Sequence, residues 1–196
     1  MTDLGSTRRA RSYHLGLVTR LPYVAPGASQ EVDDLYAEIT GMGRMVANLY
    51  KVMANQPAGL AAFLKMSRYV RSGSSLDPGL RELSILATAH EFGQAYELAH
   101  HTDAAILAGV PEEKLAAVGP GGNMALLTPP ERCAVEFARQ VARGRDCDDA
   151  VFARLREFFG PDGVIDLALT VAWYHFCAVI LGTMHVELEP QYGGPA

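Results

Sequence analysis

The sequence predicts an all-α protein of six to nine helices. Three observations carry that prediction. Apolar residues recur at three- and four-residue spacing through most of the chain. The alternation expected of a half-buried strand is missing, apart from a stretch at 15–18 too brief to count. Helix-start and helix-stop residues bracket the periodic segments.

The elements follow in order. Residues 1–27 mix glycine, proline and scattered charge, and read as an extended arm. Ser29 is placed to cap a helix running to about Thr40, which Gly41 and Gly43 end. A second helix is expected from about Arg44 to Asn55. Pro57 opens a third, with Leu60, Phe63, Leu64 and Met66 on its apolar side. Asp77-Pro78 starts a fourth, because a carboxylate caps free amides and proline tolerates the first turn. That helix weakens at Gly93, and the next runs from about Gln94 to Ala108, with Gly109 after its end. Pro111 begins a short helix closing near Val118, followed by the Gly119-Pro120-Gly121-Gly122 loop. Thr128 and Glu131 form a capping box for a helix to about Arg143. Asp148 or Asp149 starts another, Gly160-Pro161 stops it, and a last helix spans about Asp162 to Met184. The organisation expected is an arm (1–27), one helical domain (28–190) and a fraying tail (191–196).

Composition narrows the function. With 49% apolar and 20% charged residues the chain is too apolar for disorder, and 196 residues bury a core without disulfides. A net charge of −5 argues against general affinity for nucleic acid or anionic membrane. No run reaches the length of a membrane span without interruption; the best, 164–184, contains Asp166, His175 and Gly182. No apolar signal core follows the early arginines, so a cytoplasmic protein is expected. Cys133, Cys147 and Cys177 are widely spaced and form no C-x-x-C, which suggests neither a disulfide framework nor a zinc site.

Chemistry concentrates in Gln94-Ala95-Tyr96-Glu97-Leu98-Ala99-His100-His101. Helical spacing puts Gln94, Glu97 and His101 on one stripe, with Tyr96 and His100 paired beside it. Glu97 lies one turn from His101, and a break near Gly93 lets Glu82 fold back toward the same imidazole. A histidine backed by one or two carboxylates is suited to proton transfer near neutral pH. The plainer reading is a solvated i, i+4 contact. Apolar Leu98, Ala104, Ala105 and Ile106 around the group argue instead for partial burial. Trp173, Tyr174, His175 and Phe176 form an aromatic wall able to line a pocket for a ring, although such a stripe is more often core. Glu97-Leu98-Ala99-His100 matches one Glu-x-x-His element of di-iron bundles, but no second exists, so no metal is expected.

Leu76-Asp77-Pro78-Gly79-Leu80-Arg81-Glu82-Leu83, then Tyr96-Glu97 and His101, then Ala108-Gly109-Val110, together resemble the carboxymuconolactone decarboxylase and alkylhydroperoxidase D-like (AhpD-like) family. The likeness is clear over about residues 45–118. It implies an AhpD-like helical domain, assembly as a homo-oligomer (trimer or hexamer), and a cofactor-free site for a small-molecule substrate. In the peroxidase-type branch the corresponding stretch is Cys-x-x-Cys-x-x-x-His. The two cysteine positions fall here on Gln94 and Glu97, the histidine on His101 and the preceding-helix glutamate on Glu82. Without the thiol pair, disulfide-forming peroxide chemistry is not expected. The decarboxylase-like branch has a Tyr-Glu-Trp where this chain has Leu98 in place of tryptophan. The resemblance therefore implies acid–base chemistry, decarboxylation or proton transfer, on a small cyclic carboxylated or enolisable substrate. His101, Glu82 and Glu97 would be catalytic, and Tyr96, Gln94, His100, His175 and Trp173 would bind substrate. Open alternatives are a cofactor-free lyase, isomerase or oxygenase of a biosynthetic pathway, a redox protein using Cys133 or Cys177, and a non-catalytic binding subunit.

Overall fold

Helix follows helix in the computed structural model, which describes residues 18–195; among them there are eight α-helices and no strand. The helices are α1 (Gln30–Gly41), α2 (Asn48–Met53), α3 (Pro57–Arg68), α4 (Pro78–Phe92), α5 (Ala95–Leu107), α6 (Glu112–Val118), α7 (Pro129–Gly144) and α8 (Asp149–Met184). The caps act as the sequence requires. Ser29 accepts from the Val32 amide, Asp77 from the Leu80 amide, and Thr128 with Glu131 completes a capping box. Gly93 takes φ 61° and turns the chain between α4 and α5, a left-handed conformation that favours glycine. Gly160 (φ 62°, ψ −179°) ahead of Pro161 breaks α8 into two helical stretches, 149–159 and 161–184.

Four expectations need correction or lie partly out of view. The second helix is shorter than 44–55, because Gly43 has φ 71° and Ala47 is extended, so helix begins only at Asn48. Its start is set by a distant group: the Asn48 amide donates to Glu189 Oε1 at 2.6 Å. After α3 the chain does not simply stop but widens into a π-turn, Tyr69–Gly73. The C-terminal segment does not fray; Pro190–Tyr192 forms a 3₁₀ turn and the Gly194 amide donates to the Glu189 carbonyl. Residues 15–17 of the short 15–18 stretch, and most of the arm, lie outside the described residues. Residues 18–27 run against the end of α8 and α2, with the Arg20 amide on the Met184 carbonyl and the Val24 amide on the Lys51 carbonyl.

Two apolar cores share α4 and α8. One joins Leu83, Leu86 and Ala87 of α4 to α6, α7 and the middle of α8 through Val164, Leu167 and Val171. The other gathers α1, α2 and α3 around Ile85, Tyr96, Trp173, Tyr174 and Cys177. Helix α4 is buried on nearly every side from Leu80 to Ala89, so any polar group on it needs a partner. Ser84 and Thr88 satisfy theirs by donating back to the carbonyls of Leu80 and Ser84. Glu82 finds its partners on its own helix and across on α5, and that need positions the site.

By length and composition alone, α8 could cross a membrane, despite Asp166, His175 and Gly182. In this fold its inner side packs into both cores. Asp166 on it is buried and accepts from Tyr69 Oη (2.6 Å), the Ser75 amide (2.6 Å) and Ser75 Oγ (2.7 Å). Burial alone would raise this carboxyl's pKa, but the donors hold it below the usual aspartate range. Asp166→Ala is therefore expected to lower unfolding free energy by about 1 kcal/mol, since it removes the acceptor of three hydrogen bonds whose donors on Tyr69 and Ser75 can still reach water. Urea denaturation checks this, and an unchanged midpoint would remove Asp166 as the anchor of the turn after α3.

Candidate active site

Glu82, Glu97 and His101 meet where α4, α5 and α8 cross, and all three are buried. His101 Nδ1 lies 2.6 Å from Glu82 Oε2, and Nε2 lies 3.3 Å from Glu97 Oε2. The first contact requires α4 and α5 to pack in one register; the second follows from helical spacing. Tyr174 presents its ring edge-on to the imidazole, at 4.6 Å between centroids and 84°. Glu82 also accepts from Arg81 at 3.3–3.4 Å.

The electrostatics favour a charged pair. Burial penalises the His101 cation, but Glu82 and then Glu97 outweigh that and raise its pKa above the ordinary imidazole value. Glu82 is the reciprocal case: burial pushes it up, while His101, Arg71 and Arg81 bring it below the ordinary glutamate value. With Nδ1–H donated to Glu82, the proton on Nε2 points toward Glu97.

Beside this pair lies a cavity of about 60 Å³, with His101 and Glu97 in one wall. Leu49, Tyr50, Phe63, Trp173, Tyr174 and Cys177 supply most of its apolar lining, and Tyr96, His100 and Arg71 its polar one. That volume is smaller than the ~150 Å³ that holds benzene in a protein interior, so a ring enters only if lining side chains move. Trp173 stacks on Phe176 (5.2 Å, 21°) and Phe176 is partly exposed, so that part of the wall reaches the surface.

Of the residues expected to bind substrate, Tyr96, His100 and Trp173 line the cavity. Gln94 and His175 do not. Gln94 is buried as the cap of α5, accepting from the Tyr96 amide and donating to the Ala178 carbonyl. His175 turns to the other side of α8 and packs on Phe92 at 4.5 Å, because one residue rotates a helix by about 100°. Leu98 packs against the other core.

Glu189, Tyr192 and Arg71 escaped the sequence reading, which placed Tyr174 in the aromatic wall but not against His101. Glu189 is buried, with Oε1 2.6 Å from Tyr96 Oη and Oε2 2.7 Å from His100 Nε2. Burial raises its pKa, but hydrogen bonds from His100, Tyr96 and the Asn48 amide hold it at about 2. The C-terminal segment is thus pinned beside the cavity, and Tyr192 adds a ring contact to His100 at 4.6 Å and a hydrogen bond to Asp103. Arg71 reaches the cavity from the π-turn, and Tyr174 covers His101. Nothing local in the sequence marks Glu189 or Arg71, since both act across long separations.

Cys177 lines the cavity while Cys133 sits in the other core, and the described cysteines are free. Burial, and then the Glu97 charge, push the Cys177 thiol far up, so it stays protonated and weakly nucleophilic. Among the described residues no group of three or more His, Cys, Asp or Glu is arranged to hold a metal ion.

Solved structures share this architecture. An uncharacterized peroxidase-related protein from Ralstonia eutropha JMP134, an alkylhydroperoxidase AhpD core, superposes with TM-score 0.78 at 19% identity, over 90% of this chain and 95% of that one. A peroxidase-related protein from Silicibacter sp. TM1040 gives 0.74 at 21% identity, covering 88% and 92%. The debrominase Bmp8, in complex with 2,3,4-tribromopyrrole, gives 0.77 at 16% identity, covering 90% and 95%. These likenesses establish the AhpD-like all-α fold. No curated protein matches the chain in sequence. The carboxymuconolactone decarboxylase family model matches residues 57–140, the segment that carries Glu82, Glu97 and His101, so over that stretch the chain is similar to that family.

Proposed function

We propose that this protein is an enzyme performing acid–base chemistry, decarboxylation or proton transfer, on a small cyclic carboxylated or enolisable substrate without a cofactor. The observation that carries the reading is one imidazole held between two buried carboxylates at the wall of an aromatic cavity. Its raised pKa suits a group that rests protonated and acts first as an acid. In decarboxylation the carbon–carbon bond to the carboxylate breaks, carbon dioxide leaves, and the electron pair passes into the substrate's own carbonyl as an enolate. His101 then gives its Nε2 proton to carbon and is reprotonated from solvent. Glu82 lies behind the imidazole and is a positioning residue, holding the tautomer and raising the pKa. Tyr96 and His100 line the same cavity, within reach of a bound ring.

The tribromopyrrole in the debrominase complex is a small ring, which supports a substrate of that size. A lyase, isomerase or oxygenase reaction would use the same group. The redox reading has Cys177 in its favour, but no second thiol lines the cavity and this one is held protonated. The test is deuterium wash-in: protein in D₂O with a panel of cyclic β-keto acids and lactone acids, followed by proton NMR at the acidic carbon. Exchange or carbon dioxide release above the uncatalysed rate supports the proposal; a panel left untouched leaves the binding-subunit reading in its place.

Assembly as a homo-oligomer, trimer or hexamer, belongs to the same proposal. Ile165, Leu169, Ala172, Phe176 and Val179 repeat at intervals of four and three along α8, the spacing of a helix-pairing seam. Ile165 is 59%, Phe176 45% and Val179 54% exposed in the single chain, large values for apolar side chains in one row. Light scattering is expected to give a multiple of 21.1 kDa, and Val179→Glu to shift it toward monomer. A wild-type monomer at micromolar concentration would count against a shared pocket.

A further inference from the structure

Arg71 stands out among the cavity residues because its donors are so little used. It is partly buried on the π-turn Tyr69–Gly73, an irregularity that often marks functional positions in helical proteins. The turn is held on both sides of Arg71: before it, Val70 is fully buried in the second core and Tyr69 Oη donates to Asp166, and after it the Ser75 amide donates to the same carboxylate. Arg71 between these anchors helps line the cavity.

A guanidinium carries five N–H donors. Among the described residues, Arg71 makes one side-chain hydrogen bond, from Nη1 to Tyr174 Oη at 3.4 Å, and no ion pair. Other arginines near the cores are engaged by oxygen: Arg81 by Glu82, Arg139 by the carbonyls of Val118 and Gly119, and Arg132 by those of Met124 and Leu127. Arg44 adds a second cation behind the same wall, reaching Ser67 Oγ at 3.5 Å. Among the described residues Glu97 is the one carboxylate in the lining, and it faces His101.

We infer that Arg71 is the anion-recognition residue of this cavity, and that it takes the carboxylate of a small planar acid whose ring lies toward Phe63 and Trp173. The planar fork of a guanidinium matches a carboxylate with two parallel N–H···O bonds. The aromatic wall matches the apolar body, with Phe63 and Trp173 only 4.5 Å apart between centroids. This inference rests on reading the cavity as a substrate site, and it specifies how that substrate is oriented, with carboxylate on Arg71 and reacting carbon toward His101.

The experiment measures binding without turnover. Ligand-observed NMR titrations compare benzoate with benzamide, and acetate with acetamide, the smaller pair needing no widening of the cavity. Wild-type protein is expected to prefer the anion in at least one pair by about 10-fold or more. Arg71→Met is expected to abolish that preference. Should that variant fail to fold by circular dichroism, Arg71→Lys serves: it keeps the charge but not the fork, and is expected to weaken anion binding several-fold. Equal binding of acid and amide in both pairs, or a preference that either folded variant leaves intact, overturns the assignment. Protein that exchanges no carbon-bound protons yet shows an Arg71-dependent preference upholds it and sinks the catalytic reading instead.

Discussion

His101→Asn is expected to lower catalysed deuterium wash-in, or decarboxylation of a reactive acid, by about 10²–10⁴-fold while the fold survives. Asparagine fills part of the imidazole's space and can still donate to Glu82, so the buried carboxylate keeps one hydrogen bond. What disappears is a group able to hold and release a proton near neutral pH. Glu97 stands 3.3 Å from the far ring nitrogen and keeps its place one turn away, but it is not an imidazole. Turnover and circular dichroism measured on the same preparation separate the two roles. Activity unchanged beside a lower melting temperature would return His101 to the status of a packed core residue.

Glu82→Gln should produce the largest change in stability. Glu82 is only 2% exposed, as is His101, and removing one member of a buried charged pair leaves the other uncompensated. A loss of about 3 kcal/mol is expected at mildly acidic pH, at the low end of such effects because glutamine retains a hydrogen bond. Its pH dependence is the sharper test. The raised His101 pKa contributes stability that is fully present below the ordinary value of 6.5 and lost as pH rises through the folded-state value. The lowered Glu82 pKa contributes stability present above the ordinary 4.5 and lost as pH falls through its folded-state value. The gap between wild type and Glu82→Gln should therefore be widest between about pH 4.5 and 6.5 and narrow on both sides. Urea unfolding at fixed protein concentration, on either side of that window and within it, checks this. A gap constant across pH would show that the two side chains are not coupled by charge.

Both expectations depend on a contact the sequence made visible only in part. The Glu97–His101 pair was legible from spacing, because residues one turn apart on a helix meet whatever the tertiary structure does. The Glu82–His101 contact could be anticipated as soon as Gly93 was seen to break the helix between them. Whether α4 and α5 would pack in the register that joins the side chains at 2.6 Å was a question of side-chain interlock. Gln94 and His175 show the opposite failure. Each has suitable chemistry and suitable spacing, yet one caps its helix and the other rotates onto Phe92. Periodicity ranks faces of a helix, but an error of one position changes the neighbour.

The sequence by itself determined the all-α class, the start or end of most helices, the absence of a C-x-x-C pair, and the stripe holding Glu97 and His101. These are local matters: capping, glycine and proline conformations, and 3.6-residue periodicity act over a few residues and leave their mark in order along the chain. Tertiary structure alone decided the rest. It set the start of α2 through Glu189, 141 residues away, and brought the C-terminal segment onto Tyr96 and His100. It widened α3 into the turn that carries Arg71, and chose Tyr174 over His175 to stand against the imidazole. Such contacts arise where buried polar groups find partners across the core, and that pairing depends on how helices pack rather than on what lies beside each residue in the chain.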